Sequence, residues 1–240
     1  MRPTLTMMLV AFLIHACGPM GKIQKVQSRL PLLGSLGKQQ SGLFKKNFQK
    51  VGEPYLSRPL ALTLESVAFT SNMRARYIKY REYKGKQPPT SLTDTTQTRA
   101  PRYYQLKITD FVHLVDELNR DENSSQKKYL QDDTDLRIMT HISFMAQAET
   151  AHRLESAEQL YLKTDYNKVL TLYSRDANRG EEIKLSTLEI FDFKTAAFCW
   201  QKNKRGQFNI AQILIDGGTC PGALVSNPKK LNKTPDYLKL

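Results

Sequence analysis

Residues 136–145 read LRIMTHISFM. Leu136, Ile138, Thr140, Ile142 and Phe144 alternate with Arg137, Met139, His141, Ser143 and Met145. A period of two belongs to a pleated strand, whose successive side chains point to opposite faces; a helix would repeat its apolar residues three and four apart. The same pattern extends outward in both directions. Upstream, Leu60, Leu62 and Leu64 share a face, as do Tyr104, Leu106 and Ile108, with Gln105, Lys107 and Thr109 opposite. Downstream, 158–164, 168–174, 182–193, 195–202 and 207–215 carry strand composition. Asp165-Tyr166-Asn167, Asp176 to Gly180 and Lys202 to Gly206 separate these runs with residues that favour turns.

About eight short strands at hairpin spacing predict a mainly β, antiparallel fold. Alternation leaves two architectures open, a sandwich and a partly open barrel. About one α-helix is expected against the sheet: Asp110 can cap it, and Phe111, Leu114, Val115 and Leu118 form one stripe. Residues 84–102, rich in Pro, Thr and charge, read as a long loop. With 240 residues, 40% of them hydrophobic, the chain can bury one well-packed core and still carry an extension. The expected core is a single β-rich domain over 59–240.

Ahead of it, residues 21–58 carry Lys22, Lys25, Arg29, Lys38, Lys45, Lys46, Lys50 and Arg58 against the single acid Glu53. Glycines punctuate the stretch and no helical period is sustained, so 17–58 reads as a disordered basic tether. Two roles fit it. It could be a solvated spacer, or Lys22, Lys25, Lys45, Lys46 and Lys50 could adhere to anionic headgroups at roughly 1 kcal/mol per residue near the surface. The whole chain is basic, with 36 Lys and Arg against 23 Asp and Glu. That balance favours anionic membranes, acidic glycans or nucleic acid as partners and says little about fold.

Residues 1–16 read MRPTLTMMLVAFLIHA: one positive side chain, Arg2, then an apolar run from Leu5 interrupted by Thr6 and His15. The run is shorter than the roughly 20 apolar residues that cross a bilayer as a helix and has the layout of a signal peptide. Its ending, Ile14-His15-Ala16-Cys17, resembles the lipobox of the bacterial lipoprotein family, with an aliphatic residue three before the cut and a small one directly before it. His15 departs from that pattern, since the position is usually small or hydroxylated. The resemblance covers only these first 17 residues. It implies cleavage before Cys17, acylation of that cysteine, and export to the cell envelope with a membrane as partner. Gly18, where aspartate would be a retention signal, implies by analogy the outer membrane, facing the periplasm.

Three cysteines are present. With Cys17 acylated, Cys199 and Cys220 remain, and an exported compartment permits a disulfide between them. The turn-rich Gly217-Gly218-Thr219-Cys220-Pro221-Gly222 can fold back to bring them together.

The patterns that carry catalysis are missing. The sequence has no GxSxG, HExxH, phosphate-binding glycine loop or calcium loop. Asp132-Asp133-Asp135 reads as a solvated turn. Met139, His141 and Met145 suit Cu(I) chemically, but His141 and Met145 would stand about 13 Å apart along a strand, so core packing is expected. Arg74 to Arg81 interleaves cations with Tyr77 and Tyr80, as a nucleic-acid groove would. Export argues against nucleic acid; lipid phosphates, an anionic glycan or an acidic protein are better partners, and an edge strand guarded by positive charge accounts for it equally. No cofactor or metal is expected. The function expected is a non-catalytic envelope lipoprotein with a binding or structural role. A lipid carrier with a curved-sheet cavity and an envelope-polymer hydrolase are the alternatives.

Overall fold

The computed structural model describes residues 32–41, 46–89, 92, 101–175, 180–215 and 217–232. The alternating stretch at 136–145 is the centre of the fold. Strand β5 (Leu136–Ala146) is hydrogen-bonded on one edge to the 15-residue β9 (Leu188–Lys202). Two strands share its other edge end to end. Tyr104–Lys107 of β4 (Arg102–Ile108) face residues 141–144, and Leu36–Lys38 of β1 (Leu36–Ser41) face residues 136–138. Beyond β4 the sheet continues through β3 (Leu60–Ala68), β6 (Gln159–Thr164), β7 (Leu170–Arg175) and β8 (Gly180–Ile183). On the far side β9 pairs with β10 (Phe208–Leu214), and β2 (Lys46–Gly52) pairs only with β1. Every pairing is antiparallel. The sheet is open: β10 and β8 lie at opposite ends and do not meet.

Alternation translates directly into burial. Leu136, Ile138, Ile142 and Phe144 are all buried, and join Leu60, Leu62, Leu106 and Ile108 in the main core. A bulge between Met139 and His141 leaves Thr140 unpaired with β9 and breaks the strict two-residue period at that point. Helix α2 (Phe111–Asn119) is the expected one. Asp110 accepts a hydrogen bond from the His113 amide at 2.9 Å, and Leu114 and Leu118 enter the core.

Among the described residues three further α-helices correct the expectation of one: α1 (Ser71–Tyr83), α3 (Ser124–Asp132) and α4 (Ala148–Ser156). Each buries a single side chain fully (Tyr77, Leu130 and Leu154), and on α1 the short stripe of Met73, Tyr77 and Tyr80 is interrupted by cations. The Arg74–Arg81 stripe lies on α1 and not on an edge strand. Thr70 caps that helix by accepting from the Met73 amide at 3.3 Å. The expected strands 182–193 and 195–202 also redistribute. A short 3-10 turn at Leu185–Thr187 ends β8, and β9 then runs without a break through Lys194. Of the loop expected over 84–102, residues 90–91 and 93–100 lie outside the described residues, as does the expected turn at 176–179.

The folded body already includes Leu32, well before Pro59. Leu33, Leu36, Phe48 and Leu56, assigned by sequence to the tether, are buried in the main core. The β1–β2 hairpin leans over β5 and β9: Phe48 meets Phe193 edge-on at 5.9 Å, and Gln39 accepts from the Thr195 hydroxyl at 2.7 Å. Gly37 permits this approach, because a Cβ there would stand 2.3 Å from the Gln49 carbonyl oxygen. No helix among the described residues is long and apolar enough to cross a membrane.

Candidate functional site

Two polar clusters hold the body together, and both bear on what it could do. The first lies on the sheet face opposite the main core. Tyr103 points there because its neighbours Tyr104, Leu106 and Ile108 take the other face of β4, and it packs with Phe69, Tyr77 and Phe191. Helix α1 docks on this aromatic patch through its cations. Arg76 pairs with Asp192 at 2.6 Å, Arg81 with Glu189 at 3.1 Å, and Lys86, just past the helix, with Glu189 at 2.8 Å. The Tyr77 hydroxyl donates to Glu189 at 2.8 Å. Burial pushes the Tyr77 phenol well above its ordinary range, and the bond to the carboxylate adds to that. Burial favours the neutral form of Glu189 as well, but the donors from Lys86 and Tyr77 and the charge of Arg81 outweigh it and hold the carboxyl below its usual value. Of the four cations in the stripe that resembled a polyanion groove, Arg76 and Arg81 are engaged inside the protein and Lys79 is exposed, as is Lys84 just beyond it.

The second cluster centres on Glu117 of α2, whose side chain has no exposure. Its carboxylate accepts from the Ser57 amide at 2.6 Å, the Ser57 hydroxyl at 2.8 Å and Arg58 Nε at 3.1 Å. Burial favours the neutral acid, yet these donors prevail and depress its pKa. Buried Asn123 clamps the same loop: its amide donates to the Tyr55 and Glu117 carbonyls at 2.8 Å and accepts from the Tyr55 amide at 2.7 Å. His113 Nε2 stands 3.7 Å from Glu117, beyond hydrogen-bond range. The serine hydroxyl is bonded to the acid and not to an imidazole. With the Ser57 amide and Arg58 bound to the same carboxylate, the arrangement ties a loop to a helix.

Cys199 and Cys220 are joined by a disulfide, with Cα atoms 5.6 Å apart, as their context suggested. Cys17, Lys22, Lys25 and Lys45 lie outside the described residues, and of Lys46 only the backbone, in β2, is described. Lys50 is engaged within the body by Glu53, which also accepts from the Leu170 amide at 3.0 Å. Met139 joins the main core and Met145 the aromatic patch on the opposite face, so the soft-ligand row does not converge. His141 Nδ1 lies 3.0 Å from the Thr140 hydroxyl. Among the described residues no group of three His, Cys, Asp or Glu side chains could hold a metal. Asp133 of the acidic turn pairs with Lys38 at 2.6 Å.

A shallow groove of about 220 Å³ runs between Leu136, Arg137, Phe198, Trp200 and Asn227. It is small against the roughly 300–1,000 Å³ of ligand pockets. The inward rows of the sheet fill the core with their own side chains. The least expected surface feature is Tyr166, 95% exposed at the tip of the β6–β7 hairpin. Periodicity could not single it out, since it lies in a turn. No known protein family, curated protein or solved structure matches the chain.

Proposed function

We propose that the chain is an exported bacterial envelope lipoprotein, anchored by acyl chains on Cys17, with a body from Leu32 onward that binds or braces without catalysis. The observation that carries this reading is the use of cysteine. Cys199 and Cys220 pair with each other, a bond that persists in oxidising compartments. The remaining thiol, Cys17, sits at the end of a short apolar segment in a lipobox-like context. Two or more acyl chains would make release from the membrane negligible, at about 0.8 kcal/mol per buried methylene. Gly18 in place of aspartate favours the outer membrane.

The absence of catalysis is supported by how the ionisable groups are spent. Glu117 and Glu189 are committed to donors that fasten a loop and a helix. The carrier and hydrolase readings draw less support, because the inward rows are packed and the described groove is small. Intact-mass measurement on membrane-extracted protein tests the proposal. Loss of residues 1–16 with a lipid mass on the new N-terminus is expected, and Cys17→Ser should move the protein out of the membrane fraction. An intact Met1 on a soluble chain would sink it.

A further inference from the structure

The folded body has one end to which the preceding chain is joined, and the same end carries an aromatic tip ringed by cations. Strand β3 begins there, β6 ends there and β7 begins there, because Leu60 pairs with Leu162 and Thr164 with Leu170. The first described residues lie against it: a Cβ on Gly34 would be 2.9 Å from Leu162 Cδ2 and 3.1 Å from Leu170 Cδ1. The β6–β7 turn is firmly built. The Asp165 amide donates to the Val169 carbonyl at 2.9 Å, Lys168 to the Asp165 carbonyl at 3.0 Å, and Val169 to the Asp165 carboxylate at 2.8 Å. Lys168 takes a φ of 60°, which closes the turn. Nothing in such a turn calls for an aromatic residue, yet Tyr166 stands at its tip almost wholly in water. Lys163 is held 4.0 Å above the Tyr173 ring, Lys168 is exposed, and Arg58, level with Thr164, is 58% exposed. Three acids of this end each accept hydrogen bonds within the body: Asp165 from the turn, Glu53 from Lys50 and Leu170, Glu117 from Ser57 and Arg58.

Tyrosine on a rigid tip with cations around its base has the chemistry of a headgroup contact, a ring for the interface and charge for anionic phosphates. We infer that the β6–β7 turn, with Tyr166 at its tip and Lys163 and Lys168 at its base, seats on the anionic lipid surface that holds the chain. The inference rests on the anchored reading. From Cys17 the chain reaches Leu32 in fifteen residues, at most about 50 Å, a reach that allows the end receiving it to touch the membrane.

The test uses the full acylated chain in vesicles of phosphatidylcholine alone or mixed with phosphatidylglycerol. Tyr166→Trp places a reporter at the exposed tip; the native Trp200 is buried and its signal is subtracted with the unsubstituted protein. In mixed vesicles the emission of the introduced indole should shift to the blue and be quenched by brominated lipid, and in neutral vesicles both effects should shrink. Adding Lys168→Gly removes a charge at a position glycine tolerates, and should lower the docked-to-free ratio about fivefold. A chain that floats with mixed vesicles while the tip reporter stays at its water emission overturns the seating alone. A chain that does not float and keeps Met1 by mass overturns the anchor, and the seating with it.

Discussion

Glu117 is a carboxylate shut off from water, and its charge survives because Ser57 and Arg58 supply three donors within 3.1 Å. A group so placed stabilises the fold only while ionised. Its folded pKa lies below its unfolded value, so its contribution is complete at pH above the ordinary glutamate range and drains away as pH falls through the depressed folded value. Glu117→Gln keeps the shape but turns an amide donor toward groups that themselves donate. The expected cost is about 2–3 kcal/mol, read as a fall in Tm of roughly 5–10 °C for a body of this size. The variant should also lose the acid-side part of the stability profile that the native protein shows. Thermal melts across a pH series check both; a variant that melts like the native protein at neutral pH would mean the network carries no net stability. Sequence pointed to none of this. Ser57, Arg58 and Glu117 lie about sixty positions apart, and a buried acid on a helix looks like any surface acid until the fold supplies its donors.

Elements differ in how plainly the residues declare them. Strands β3 to β7 and β10 were legible because their large aliphatic residues gather on the main-core face, which writes a period of two into the chain even where the other face is also covered. Helix α2 was legible from its cap and its Leu114–Leu118 stripe. Helices α1, α3 and α4 were hidden because each is fixed by one buried residue and by polar contacts that reach across many positions, such as Arg76 to Asp192. The sheet's β10 end shows another polar device: Asn119 donates to the Ile210 carbonyl at 2.7 Å and accepts from its amide at 3.0 Å, so one side chain occupies part of an edge strand. The segment after β10 is held back by the Cys199–Cys220 bond, over a separation of 21 residues, and by the bridge from Trp200 to Val225. Opening that loop by Cys220→Ser should cost about 3 kcal/mol in the chain-entropy view. The melting temperature should fall by a similar 5–10 °C, and reductant should reproduce the drop in the native protein but not in the variant. If reductant leaves the native melt unchanged, the bond does not contribute to stability.

At the scale of the whole molecule, the decisive feature is that the body starts before its regular alternation does. Composition placed the boundary at Pro59, because residues 21–58 are rich in lysine and glycine and their apolar residues come in short groups. Those groups are nonetheless core. Leu33, Leu36, Phe48 and Leu56 each have 6% exposure or less, and three different structures bury them: a turn, a two-stranded hairpin and an extended loop. No single period joins them, so no periodicity search could have found them together. A chain starting at Pro59 would leave open the spaces they fill, at roughly 1.5–3 kcal/mol for each buried side chain removed. It would also strip the Ser57 and Arg58 donors from Glu117, leaving a buried carboxylate without them. The combined loss, on the order of 10 kcal/mol, matches the whole stability expected of a domain, about 5–15 kcal/mol. A chain starting at Leu32 keeps all of these contacts. The expected outcome is that the Leu32 start yields a cooperative thermal transition and slow proteolysis, while the Pro59 start yields neither. Should the Pro59 chain melt cooperatively with the native near-ultraviolet signal, the hairpin would be an accessory to an independent sheet.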